Sequence, residues 1–116
     1  MDFTVEHIKG VALIKIKLDR ADIRSADKFK NFVHDILKDG YSKILIDFSK
    51  VTFMDSTFLG AIVISLKRCV QDGGDLKFLA LDCKGTIIWT LLETTRLFNV
   101  FQIFDDLDKT LASFSE

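Results

Sequence analysis

The string Asp55-Ser56-Thr57, inside "VTFMDSTFLGAIV" at residues 51 to 63, sets a carboxylate beside two hydroxyls where a strand-like apolar run gives way to a helical pattern. Covalent catalysis at Ser56 would need a nucleophile elbow, G-x-S-x-G, whose glycines permit the strained turn. The frame here is Met54-Asp55-Ser56-Thr57-Phe58, with no glycine in it. The only bases, His7 and His34, fall in the first strand pattern and on the polar side of the first helix pattern. A hydrolase is therefore disfavoured. Neither G-x-x-x-x-G-K-[ST] nor G-x-G-x-x-G occurs, and Gly73-Gly74 ends a helical pattern, so the dipole there points the wrong way for an anion. Asp47, Asp55 and Asp82 are conceivable ligands for a hard cation, but acids at strand ends and caps are the commoner reading. Asp47 in "ILIDF" also suggests a phospho-acceptor of the receiver type; the acidic pair that such domains place after their first strand is missing.

What remains is Ser56 as an acceptor of phosphate from another protein. A helix N-terminus offers unsatisfied N–H groups and the positive end of the dipole. A phosphoryl group there adds about −1.5 to −2 charge without having to unfold the helix. It would act instead on whatever touches Phe53, Met54 and Phe58, an expected apolar collar. The plainer alternative is that Asp55 or Ser56 is simply the helix N-cap, worth about 1 kcal/mol. Residue types alone favour that alternative.

The elements that must position this junction alternate in period. "FTVEHI" and "VALIKIKL" flank Lys9-Gly10, the gap of a tight hairpin. In the second run Ala12, Ile14, Ile16 and Leu18 make one apolar face. Val11, Leu13, Lys15 and Lys17 make a face that turns from apolar to charged, so that side is covered for only part of its length. Ala26, Phe29, Phe32, Val33, Ile36 and Leu37 follow helical spacing, with Ser25 as expected N-cap and Gly40 as stop. "SKILIDFS" reads as a buried strand. Leu59, Ile62, Val63, Leu66, Cys69 and Val70 form a second helical stripe. "DLKFLALD" and "NVFQIF" read as strands, "GTIIWTLLETT" and "DDLDKTLASF" as helices, the last with Leu107, Leu111 and Phe114 on one face. The order β-β-α-β-α-β-α-β-α predicts one α/β domain over 1–116, with about four helices and a mixed sheet: parallel strands joined by right-handed crossovers, plus an antiparallel hairpin strand. Functional residues in such sheets collect beyond the C-terminal strand ends, where Asp47, Asp55 and Ser56 lie.

At 116 residues, 48% of them hydrophobic, the chain can bury a proper core. Its formal charge of −1, from 16 basic and 17 acidic side chains, gives no reason to expect nucleic acid or an anionic membrane as partner. Cys69 and Cys83 lack a CxxC or Cys/His context and read as core thiols; Trp89 reads as packing, and Lys67-Arg68 as a solvated helix face. The first residues match no signal or transit peptide, and no apolar run nears the roughly 20 residues of a bilayer span. A soluble intracellular protein is expected.

"ILIDFSKVTFMDSTFLGAIVISLKRCVQDGGDLKFLAL" closely resembles the core signature of STAS domains (sulphate transporter and anti-sigma factor antagonist), above all in F-M-D-S-[ST]-x-L-G. "ADIRSADKFK" resembles the family's stretch before its first helix, with Asp22 and Ser25-Ala26 in the aspartate and hydroxyl-alanine positions. The resemblance spans nearly the whole chain and implies a stand-alone anti-sigma factor antagonist, cytoplasmic and without a cofactor. In such members the serine after the motif aspartate, here Ser56, is phosphorylated by an anti-sigma factor that is also a GHKL-type serine kinase. The unphosphorylated form binds that kinase, the phosphorylated form releases it, and a PP2C-type phosphatase resets the switch. The implied partner surface comprises Asp22, Ser25, Phe53, Met54, Asp55, Ser56, Thr57, Phe58 and Gly60, on a domain expected to act as a monomer. A non-switching scaffold, or an accessory subunit of a signalling or ABC-transport assembly, is the alternative. The family usually has Gly where this chain has Phe58.

Overall fold

The computed structural model describes residues 2–79, 93–94, 96 and 102–115. Strands β1 (Phe3–Ile8) and β2 (Val11–Ile16) form the expected hairpin, paired antiparallel from Phe3↔Ile16 to Ile8↔Val11. Lys9 and Gly10 both take positive φ, 52° and 80°, the mirror-image turn whose twist matches that of the flanking strands. There follow β3 (Arg20–Ala21), α1 (Ile23–Lys38), β4 (Lys43–Asp47), β5 (Phe53–Met54), α2 (Ser56–Gln71), β6 (Asp75–Leu79), β7 (Ile103–Phe104) and α3 (Leu107–Ser113).

Among the described residues the main sheet runs β1-β2-β4-β6-β7, with β2, β4, β6 and β7 parallel and only β1 antiparallel. The mixed sheet is as the sequence predicts. Three helices can be bounded among the described residues; of the segment read as a third helix only Glu93 and Thr94 are described, both helical, while Trp89 and the positions Asp82 and Cys83 lie outside the described residues. The sequence also gave no hint of β3 and β5, which pair in parallel as a second, two-stranded sheet.

The sheet separates two apolar layers. Ala12, Ile14, Ile16, Ile44, Ile46, Leu76 and Phe78 face α1 and α2, joining Phe29, Val33, Phe58 and Ile62. Val11, Leu13, Leu45 and Leu79 face α3, joining Leu111 and Phe114. The mixed face of β2 behaves as its pattern demands: Val11 and Leu13 are buried, Lys15 is half-buried and Lys17 exposed.

Two helix readings need correction. The N-cap of α1 is Asp22, which accepts from Arg24 N–H at 3.1 Å, and Ser25 is a buried residue inside the first turn. The inward face of α2 is rotated from the expected stripe: Phe58, Ala61 and Ser65 are buried beside Leu59, Ile62 and Cys69, while Val70 is 56% exposed. Phe58, in the first turn, is part of that inward face and packs against Phe29 of α1 and Phe3 of β1. Burial pushes the Cys69 thiol up to about 12, with Asp75 and Asp72 adding to the shift, so it is an inert core group.

Candidate functional site

The two short strands build the site. Asp19 C=O accepts from Thr52 N–H (2.8 Å) and Phe53 N–H (3.3 Å), and Ala21 C=O accepts from Asp55 N–H (3.1 Å). Thr52 Oγ1 also donates to Asp19 Oδ1 at 2.6 Å. This pairing lays residues 19–22 along residues 52–55, although more than thirty positions separate them. The start of α1 is thereby brought against the start of α2.

Asp55 occupies the joint. Its Oδ1 accepts from Phe58 N–H at 2.9 Å, capping α2, and its Oδ2 accepts from Ile23 N–H at 3.0 Å, at the head of α1. One carboxylate thus satisfies orphan donors of two helices, each 16 residues long. Ser56, the first residue of α2, is exposed, as is Thr57. Among the described residues Ser56 Oγ makes no hydrogen bond, and the capping position that residue types allowed it belongs to Asp55.

Beside the joint, Asp22 is held by Arg24: Nε lies 3.1 and 3.2 Å from the two carboxylate oxygens, and Nη2 lies 2.8 Å from Oδ2. The Arg24 side-chain hydrogen bonds hold the Asp22 carboxyl below its ordinary value against the opposing effect of burial, with Arg20 assisting. The same pairing raises the Arg24 guanidinium. Arg20 lies over the Phe53 ring, 4.2 Å from its centroid.

The expected surface is therefore only partly a surface. Met54 is 3% exposed and Phe58 fully buried, so the apolar collar is corrected: of its three members only Phe53 reaches solvent. Phe58 packs against Phe29 and Phe3, with ring centroids 5.0 and 6.5 Å away. Asp22 and Ser25 are buried as well. Ser56, Thr57, half-buried Asp55 and Gly60, and Phe53 remain accessible. Sequence reasoning missed Ile23, the most exposed large apolar residue described, at 67%. Its only signal was its place after a capping aspartate, outside the periodic stripe of α1.

The other acids form no second centre. Asp47 Oδ1 accepts from the N–H and hydroxyl of Ser49, which closes the turn after β4. Among the described residues no three His, Cys, Asp or Glu converge on one point, and no helix is long and apolar enough to cross a membrane. His7 is exposed on β1 and stacked on Tyr41; exposed His34 lies 3.3 Å from Arg68. Neither is brought to Ser56.

Comparison with known proteins bears on the fold and the family. The STAS domain family model matches residues 2–110. A Thermotoga neapolitana protein, provisionally named an anti-sigma factor antagonist, is 36% identical over 91 residues, covering 78% of each chain. The Thermotoga maritima relative, named likewise, is 34% identical over the same share. The crystal structure of a Thermotoga maritima protein of that description superposes with a TM-score of 0.83 at 26% identity, covering 98% of this chain and 95% of the other. A Planctomyces limnophilus STAS domain protein, 19% identical, reaches 0.85 over the full length of both chains and shows the shared fold. Two parallel helices on one face of a mixed sheet, joined head to head at the Asp-Ser motif, are thus this chain's version of a known plan, and the chain belongs to the STAS domain family.

Proposed function

We propose that this protein is an anti-sigma factor antagonist, a binding module without catalytic turnover that works in the cytoplasm by partner switching. In its unmodified form it binds an anti-sigma factor that is also a GHKL-type serine kinase. Phosphorylation of Ser56 ends that binding, and a PP2C-type phosphatase restores it. One observation carries this reading: Asp55 does the capping, which leaves the Ser56 hydroxyl exposed and, among the described residues, unbonded at the first position of α2. A residue needed for the cap would lose that role on modification; Ser56 would not. The added charge meets the positive end of the helix dipole, so the fold tolerates it while a docked surface does not.

The test is incubation with the cognate kinase and ATP, followed by mass spectrometry and calorimetric binding. A single phosphate on Ser56, its absence in Ser56→Ala, and at least tenfold weaker kinase binding by Ser56→Asp are expected. Robust phosphorylation of Ser56→Ala, or equal affinity of wild type and Ser56→Asp, would overturn the reading.

A further inference from the structure

We propose that Ile23, flanked by Arg20 and Arg24, is the anchor by which the anti-sigma factor grips this protein, and that it seats in an apolar pocket of the partner rimmed by carboxylates. This deepens the switching reading and depends on it. Ile23 stands 67% exposed at the first position of α1, where a polar residue would serve the helix equally well. Its backbone is not free to swing: Ile23 N–H is fixed by Asp55 Oδ2 at 3.0 Å, one residue from Ser56. An exposed branched side chain on a fixed backbone loses little entropy on docking, which suits it to be an interface anchor.

Charge decides what covers it. Arg24 is 74% exposed at its side chain and commits Nε and Nη2 to Asp22, which leaves Nη1 outside that pairing. Arg20 is exposed, with its guanidinium over the Phe53 ring, and among the described residues forms no ion pair. Two oriented guanidinium groups beside one apolar side chain match carboxylates around an apolar pocket. The arrangement also explains release. A phosphoryl group on Ser56 would add negative charge one residue from Asp55, whose carboxylate holds Ile23 N–H, on the same face as the two arginines. It would draw them from the partner's carboxylates, repel those carboxylates directly, and crowd the Asp55 carboxylate that holds Ile23.

The measurement is calorimetric affinity for the purified anti-sigma factor kinase that wild type binds, at low and at physiological salt. Ile23→Ser should weaken binding at least about tenfold. Arg20→Gln should weaken it less, chiefly at low salt, and Val70→Ser, at an exposed apolar position at the far end of α2, should leave it unchanged. Thermal melting of each variant should match wild type, since none of these side chains is buried. If wild type binds and Ser56→Asp does not, yet Ile23→Ser binds within twofold of wild type, the anchor assignment fails and the switch stands. A loss of the same size in Val70→Ser also sinks the assignment. If wild type and Ser56→Asp bind alike, the switching reading fails and takes the anchor with it.

Discussion

At the scale of single residues, Phe58 separates what the sequence makes legible from what it does not. The family pattern puts glycine there, and the pattern of apolar residues puts position 58 at the edge of the α2 stripe, about 100° from Leu59. Both leave open whether the ring faces a partner or the core. Three-dimensional neighbours decide it: Phe3 and Phe29 come from distant segments, and the ring they enclose is fully buried. Phe58→Gly should therefore destabilise the fold by about 4 kcal/mol, from the cavity and the glycine in a helix together. Urea denaturation measures it, and a loss under about 1 kcal/mol would return Phe58 to the surface. Asp22 behaves differently. Arg24 lowers its carboxyl in the folded chain, so the pair stabilises the protein above the carboxylate's unfolded-state value. That stability is lost as pH falls through the lower folded-state value. Arg24→Gln should be less stable than wild type at pH 7, with the difference vanishing in acid; a gap that persists with Asp22 protonated would contradict the assignment.

At the scale of elements, the long periodic segments were readable because period and length agree: the hairpin, α1, β4, α2 and β6 all appear. β3 and β5 could not be read, because a two-residue strand is too short to show a period. Yet this pairing is what brings Asp22 beside Asp55. The same limit explains Ser25. Spacing located the start of α1 to within a turn, and Asp22 competed successfully for the cap because its carboxylate can bond N–H groups that a buried hydroxyl cannot reach. Glycines carry element-scale information of two kinds. A Cβ at Gly74 would stand 1.9 Å from the Ser42 carbonyl oxygen, where Asp75 N–H pairs with that carbonyl to set the register of β6 on β4. Backbone cannot yield cheaply, so Gly74→Ala should cost about 3 kcal/mol and broaden the unfolding transition. Gly60, inside α2, has no described atom outside its own stretch of helix within 4 Å of a built Cβ. Gly60→Ala should stabilise by about 0.5–1 kcal/mol in the same assay. A destabilised Gly60→Ala would mean that the helix is tighter there than the geometry allows.

At the scale of the molecule, the sheet and its two apolar layers hold the frame, and the site stands where the frame's two longest helices begin side by side. Beyond the β3–β5 pairing, one carboxylate bonds both of those beginnings. Asp55 therefore does two jobs, of which sequence reasoning offered one, and that shared with Ser56: it caps α2, and it ties α1 to α2 across the short sheet. Asparagine has one acceptor and one donor in place of two acceptors, so it can serve Phe58 N–H or Ile23 N–H but not both. Each cap is worth about 1 kcal/mol. Asp55→Ala should lower stability by about 2 kcal/mol and Asp55→Asn by about half of that, while Ser56→Asp, which touches neither bond, should leave the melting temperature within a degree or two. Hydrogen exchange should locate the loss: in Asp55→Ala the first-turn amides of α1 exchange faster along with those of α2, whereas an ordinary cap would release α2 alone. If α1 amides keep wild-type protection, Asp55 is no more than the cap of its own helix, and nothing in its position would then couple a charge at Ser56 to Ile23.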